Sequence, residues 1–534
     1  MAIILALFAL AQGSQADYDR AAALPRTFRG KVAVTGVKAA WTADGKSFTY
    51  RRSNGEFVRV DAETGARTVL PGPGEPPPKQ AAPVEPRRPS SERSPDGEWT
   101  AFFKDHNLHL RSKGGEEFAL SKDGAADDAY SGRIGWSPDS KRVVVLRTKK
   151  APERVVTLVE SSPKDQLQPK VQTLNYAKPG DPLPVAKPRL FDVAKRAEVP
   201  VSDALFPTPW SVDRVRWDRD GKRFTFRYNQ RGHQALRILA VDAETGEARA
   251  IVDEASKTFI DYAHKQFLQW VGDGELIWMS ERDGWNHLYL YDARSGQVKN
   301  PITKGEWIVR GVDRVDVEKR QVWFRAGGIH PGQDPYHVHF ARVDFDGSGL
   351  VILTEGDGTH AVEFSPNRRF LVDTYSRVDL APVVELRRAS DGAKVCELER
   401  ADLAPILAAG WKAPERFLAK GRDGKTDIHG VIYRPTTFDP SRKYPVVEAI
   451  YAGPQGSFVP KSFREFHSPQ ALAELGFITV QIDGMGTSNR SKAFHDVCWK
   501  DLGDSGFPDR ILWMKAAAAK YPWMDLTRVG VYGG

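Results

Sequence analysis

Cysteine is nearly absent: Cys396 and Cys498 are the only two in 534 residues. Two thiols in segments that read as different domains exclude a disulfide framework and a cysteine-rich zinc site, and leave two ordinary semi-buried thiols. A large charge of one sign is missing as well. The 77 Lys and Arg residues against 69 Asp and Glu leave +8, which is small when spread over so long a chain. The densest basic pieces, Pro86-Arg87-Arg88-Pro89 and Leu146-Arg147-Thr148-Lys149-Lys150, are short and lack interleaved aromatic platforms, so nucleic acid is not an expected partner. Long hydrophobic runs are lacking too. The apolar run from Ile3 to Ala11 is too short to span a bilayer. With Ser14-Gln15-Ala16 before Asp17, it resembles the apolar core and cleavage site of a signal peptide over residues 1–16, although no Lys or Arg precedes it. That reading makes the protein periplasmic or secreted, with no membrane span.

What is present describes a soluble globular protein, 41% hydrophobic and 27% charged. From about residue 30 to 405 one unit recurs: an aromatic or apolar residue, a polar turn with Asp-Gly or Pro-Asp, then an alternating strand. Trp41-Thr42-Ala43-Asp44-Gly45, Ser94-Pro95-Asp96-Gly97, Trp136-Ser137-Pro138-Asp139 and Trp217-Asp218-Arg219-Asp220-Gly221 are copies, and Trp270 to Ile277 and Phe364 to Phe370 continue the series. Asp-Gly supplies the positive φ of a tight hairpin, and alternation gives each strand one buried face. The spacing, roughly 40–55 residues, is that of four-stranded propeller blades. The gaps from Trp136 to Trp217 and from Trp270 to Phe364 are about twice as long, and each is expected to hide a blade with a degenerate turn. The count is then seven or eight blades.

Several features in this region have bland explanations. Val343 to Gly349 resembles part of a calcium loop but lacks the distant bidentate Glu, and reads as a hairpin turn. His337-Val338-His339 puts two imidazoles on one strand face, with no third ligand evident, so no metal and no cofactor is expected. The proline-rich stretch Leu70 to Ser91 reads as a stiff surface loop.

The pattern changes near residue 412. Asp427 to Pro435, Tyr444 to Tyr451, Phe477 to Asp483 and Val529 to Tyr532 read as strands, and Ser468 to Leu475 and Pro508 to about Lys520 as helices. Ile511, Leu512 and Ala516 are expected to form one face of the second helix. Strands alternating with helices argue a mainly parallel sheet, here over 412–534. Ligands of open α/β sheets collect at the carboxyl ends of strands. Two segments end strands in this way. Tyr451-Ala452-Gly453-Pro454 offers a hydroxyl to a developing oxyanion, and Asp483-Gly484-Met485-Gly486-Thr487 forms a tight pocket-lining loop. Gly533-Gly534 follows an apolar strand as the start of a Gly-x-Ser-x-Gly nucleophile elbow does.

Together with Leu502-Gly503-Asp504 and Arg528 to Gly533, these segments resemble the prolyl oligopeptidase family of serine peptidases, in its dipeptidyl peptidase IV-like branch. Tyr130 to Ser140, Leu183 to Pro188 and Ser280 to Tyr289 extend the resemblance through the propeller. It implies a propeller followed by the N-terminal half of an α/β-hydrolase domain, peptide substrates, no nucleic acid and Ser-His-Asp chemistry, and it leaves a homodimer open. By it, Tyr451 is the oxyanion donor, Gly533 and Gly534 open the elbow, and the serine, aspartate and histidine lie beyond residue 534. The chain as written is therefore expected to be truncated and inactive alone. The branch binds a substrate's amino terminus with an acidic pair in an Asp-Trp-x-Tyr-Glu-Glu-like segment. Here Asp127 and Asp128 stand near that place, without the Tyr-Glu-Glu. A non-catalytic propeller that binds peptides and an esterase on the same fold are the competing readings.

Overall fold

In a computed structural model the structure describes residues 13–32, 36–72 and 92–534. The apolar run at residues 3–11 and most of the proline-rich stretch lie outside the described residues. The described residues between 40 and 400 form seven antiparallel sheets of three or four strands, arranged as propeller blades. They occupy residues 40–70, 99–119, 128–199, 209–255, 268–301, 308–352 and 359–400. Neighbouring blades share cores. Leu110 and Val145 join the second to the third, Val144 and Phe226 the third to the fourth, and Ile238 and Trp278 the fourth to the fifth. Leu290 and Phe324 join the fifth to the sixth, Trp323 and Leu371 the sixth to the seventh. Phe48 and Val58 of the first blade pack with Val384 and Leu398 of the seventh, which brings the two ends of the series together.

The recurring turn has a common cause. In the third blade Ser137 Oγ donates to Asp139 Oδ1 at 2.7 Å and accepts the amide of Arg142 at 2.9 Å, which closes the hairpin. Ser94 with Asp96, Thr42 with Asp44 and Ser365 with Asn367 repeat the arrangement. Such local side-chain bonds compete with the strand ladder, and so they fix where it turns.

The two long gaps differ. The second contains the sixth blade, which lacks the aromatic–turn signature. The first hides no extra blade: the third blade alone fills it, because a two-stranded hairpin, Val155–Glu160 with Lys170–Asn175, is inserted between its second and third strands. The segment Val343 to Gly349 is the hairpin turn expected, between strands Val338–Asp344 and Val351–Ile352. His339 is buried and held by Thr354 Oγ1 at 3.2 Å and Gln333 Oε1 at 2.9 Å. Among the described residues no group of three His, Cys, Asp or Glu is arranged to hold a metal ion, and no helix is long and apolar enough to cross a membrane. Cys396 and Cys498 are free thiols.

The C-terminal region is a five-stranded sheet. In sequence order its strands are Glu415–Lys420, Asp427–Tyr433, Tyr444–Ala449, Ile478–Ile482 and Met524–Tyr532, and in space they run first, second, fourth, third, fifth. The first two pairings are antiparallel, and the third strand is parallel to both of its neighbours. The third and fourth strands are nearly continuous apolar runs because both of their faces are covered. Helix α1 (Gln15–Phe28), capped by Ser14, lays Leu24 and Phe28 against Ile406 and Trp411 and pairs Arg20 with Glu474 at 3.1 Å.

The helix Phe507–Lys520 turns a different face inward from the one expected. Ile511 and Leu512 are exposed, as is Ala516, while Asp509, Arg510, Trp513, Met514 and Ala517 are buried. Positions 510, 513, 514 and 517 keep helical spacing. The stripe is disguised in the sequence because Asp509 and Arg510 enter it as partnered charges.

Candidate active site

Three strand ends converge at one edge of the C-terminal sheet. Ala449 is in register with Tyr532, and the amide of Ile450 donates to the Tyr532 carbonyl at 2.9 Å. On the other side Glu448 is in register with Val480, two residues before the end of the Ile478–Ile482 strand. Tyr451, Gly533-Gly534 and Asp483 are thereby brought side by side at the carboxyl ends of parallel strands, where open α/β sheets form their sites.

Each strand end is fixed by identifiable contacts. A Cβ on Gly533 would lie 2.2 Å from the Ile450 carbonyl oxygen, so only glycine fits there. Tyr451 is 48% exposed, with its ring 4.5 Å from that of Phe458. Asp483 is fully buried, accepting the amides of Phe458 at 2.8 Å and Val459 at 3.0 Å. Burial pushes its carboxyl above the usual range. The two amides anchor the far end of the loop that starts at Tyr451.

Arg510 braces the near end. Its guanidinium, buried on the sheet, pairs with the buried carboxylate of Glu448. It also donates to Ser505 O at 3.0 Å and to the Tyr451 carbonyl at 3.4 Å. Burial pushes the Glu448 carboxyl up, against the pull of Arg510. In the middle of the loop, His495 Nε2 meets the Pro454 carbonyl at 2.8 Å. None of Arg510, Glu448 and His495 stands out in the sequence, since a charge in a helix or strand most often faces solvent. The only signal was Glu448 inside an otherwise apolar strand.

Asp127 and Asp128 stay with the propeller. Asp128 opens the first strand of the third blade and accepts from Arg147 Nε at 3.0 Å, while Arg147 also pairs with Asp123. The carbonyl of Asp127 accepts the Lys150 amide at 2.7 Å.

A cavity of about 650 Å³ lies between the propeller and the C-terminal sheet, lined in part by Trp285, His337, Arg416, His429, Lys461 and Arg490. There Asp334 accepts from Lys461 Nζ at 2.8 Å with His429 3.5 Å away. Although burial opposes it, Lys461 and the imidazoles hold the Asp334 carboxyl well below its usual range. Burial lowers His337 and His429 to about 4.

Comparison with known proteins bears on the family and the fold. Residues 46–382 match the family model of the dipeptidyl peptidase IV (DPP IV) N-terminal region, and residues 461–534 match that of the prolyl oligopeptidase family. A probable dipeptidyl-aminopeptidase B of Aspergillus niger is 26% identical over 506 residues, covering 85% of this chain and 55% of the relative. The corresponding protein of Emericella nidulans is 26% identical, with 82% and 52% covered. The chain thus spans about half the length of the curated relatives it matches. Among solved structures, Porphyromonas gingivalis dipeptidyl peptidase 4 superposes with a TM-score of 0.62 at 21% identity, covering 96% of this chain and 80% of that one. A putative dipeptidyl aminopeptidase IV from Bacteroides ovatus gives 0.59 at 20% identity, with 91% and 70% covered. Likeness at such identity shows the shared fold. With one family model matching well over half of its length, the chain belongs to the prolyl oligopeptidase family of serine peptidases, as a dipeptidyl peptidase IV-like member.

Proposed function

We propose that these residues form part of an exported serine peptidase that releases dipeptides from peptide amino termini, after proline or alanine. The observation that carries the reading is the ladder joining Ile450 to Tyr532, which brings the strand end at Tyr451 beside Gly533-Gly534. In this reading a serine following Gly534 attacks the scissile carbonyl, a histidine takes its proton, and an aspartate orients the histidine. The Tyr451 hydroxyl donates to the oxyanion. Loss of one such donor costs on the order of 100-fold or more in kcat. Tyr451→Phe in the intact gene product is the test, with a dipeptide anilide as substrate: kcat falls by that order while KM changes little. An unchanged kcat removes Tyr451 from the mechanism.

We also propose that the protein pairs with a second copy of itself. The hairpin inserted in the third blade leaves Val155, Leu158, Val159, Val171 and Leu174 exposed. An isolated two-stranded hairpin is marginal in water. Its flanking charges carry both signs (Glu153, Arg154, Glu160, Lys164, Asp165 and Lys170), which suits pairing with a second copy of itself about a two-fold axis. Light scattering after chromatography reports the mass, and Val159→Asp is expected to halve it.

A further inference from the structure

The proposed reading leaves unexplained a buried lysine that reaches out of the propeller toward the C-terminal sheet. Lys265 lies in the segment between the fourth and fifth blades and is 7% exposed. Its ammonium donates to Glu281 Oε1 at 2.6 Å and meets His495 Nδ1 at 3.1 Å. An ammonium carries no lone pair and can only donate. Nδ1 of His495 must therefore accept, and the ring proton sits on Nε2, which donates to the Pro454 carbonyl at 2.8 Å. The direction of every bond in the chain is thereby set, from Lys265 of the propeller, through His495, to a backbone oxygen three residues beyond Tyr451.

The surroundings hold this chain rigid. His495 is 1% exposed on helix Lys492–Asp496, with the Phe259 ring edge-on at 4.9 Å. That helix is moored to the propeller by Lys492 Nζ on the Phe259 carbonyl at 2.8 Å, by Thr258 Oγ1 on Asp496 at 2.8 Å, and by the Lys492 amide on the Gly284 carbonyl at 2.8 Å. Burial, and then the neighbouring Lys265 charge, lower His495 to about 4, so the ring is neutral at neutral pH. At the receiving end Gly453 has φ +117°, a conformation that L side chains rarely adopt, and the peptide around Pro454 is aimed by this turn and by the imidazole together.

We propose that Lys265 is a positioning residue for the Tyr451 loop, acting through the hydrogen bond it donates to His495, so that the propeller sets the geometry of the oxyanion donor. The inference rests on the reading of Tyr451 given above. A displacement of about 1 Å at a reacting group costs on the order of 100-fold in rate, so a loosened loop is expected to lower kcat at least tenfold.

Two measurements test it. In the 534-residue chain, selective 15N-histidine NMR is expected to show His495 as a single Nε2–H tautomer, and Lys265→Met is expected to shift its Nδ1 resonance as the charged donor is lost, while the Pro454 carbonyl keeps the proton on Nε2. An Nδ1 resonance unchanged in Lys265→Met overturns the relay. In the intact gene product, Lys265→Met and His495→Phe are expected to lower kcat at least tenfold with KM held within about threefold. His495→Gln, whose amide can still donate to Pro454, is expected to recover at least half of that loss on a logarithmic scale. If all three variants keep the parent kcat within twofold, the positioning role is wrong. An intact protein without any hydrolysis defeats the peptidase reading instead, and the NMR result then decides the relay alone.

Discussion

Replacing Arg510 by Met is the perturbation that strikes the proposed site hardest without touching its surface. The guanidinium is 1% exposed and serves three acceptors, the Glu448 carboxylate and the carbonyls of Ser505 and Tyr451. A methionine fills most of the space but leaves Glu448, on the strand between the fourth and the fifth, as an uncompensated buried carboxylate. Breaking a buried pair in this way costs about 3–5 kcal/mol. At a few degrees per kcal/mol this lowers the melting temperature of the C-terminal unit by roughly 10 °C. The pH dependence gives a second check. Burial already pushes Glu448 up, and losing Arg510 pushes it further. A carboxyl raised in the folded state gives stability that is full below its unfolded value, near 4.5, and is lost as pH rises through the folded one. The defect of Arg510→Met therefore shrinks on acidification. Glu448→Gln added to Arg510→Met recovers part of the loss, because the second change removes the stranded charge. Scanning calorimetry of the 534-residue chain and its variants measures both effects. A loss below about 1 kcal/mol, or a defect that grows at low pH, refutes the reasoning.

Two further outcomes follow from the same contacts. Burial lowers His337, His429, His467 and His495 to about 4. The unfolded chain then binds more protons between about pH 4 and the ordinary histidine value of 6.5, so stability rises with pH across that window. Melting temperatures from pH 4.5 to 7.5 check this, and a flat profile contradicts it. Gly533→Ala forces a methyl to within 2.2 Å of the Ile450 carbonyl. It is expected to destabilise the sheet by about 1–3 kcal/mol, measurable as a lower urea midpoint, whereas Gly534→Ala, with nothing within 4 Å, leaves the midpoint unchanged.

The propeller was legible because many of its turns are local chemistry: in the first, second, third and seventh blades a Ser or Thr two residues before an Asp or Asn closes a hairpin whatever the rest of the chain does. The sixth blade escaped direct reading for the same reason, since its turn uses Asp316 and Lys319 in place of the aromatic–Ser pattern. The insert in the third blade misled because a two-stranded hairpin and a further blade have the same alternation, and only pairing partners tell them apart. At the site, Tyr451 and Gly533 were visible at strand ends, while their neighbourhood was not. Which strands lie beside each other is a long-range fact, and the order first, second, fourth, third, fifth follows from no local pattern. Arg510 and Lys265 were hidden more deeply. Each is a charged residue whose burial is decided by partners, Glu448 and Glu281, far away in sequence, and periodicity counts such residues as solvent-facing.

The central claim is that these residues build the entrance to a serine peptidase site. Labelling with a fluorophosphonate, followed by peptide mapping and assay against a peptide with proline in its second position, tests it most directly. The intact gene product is expected to carry one label, on a serine following Gly534, and to release the amino-terminal dipeptide, while the 534-residue chain alone is expected to take up no label. An intact gene product that stays unlabelled and leaves the peptide whole, or stoichiometric labelling of the 534-residue chain, would contradict it.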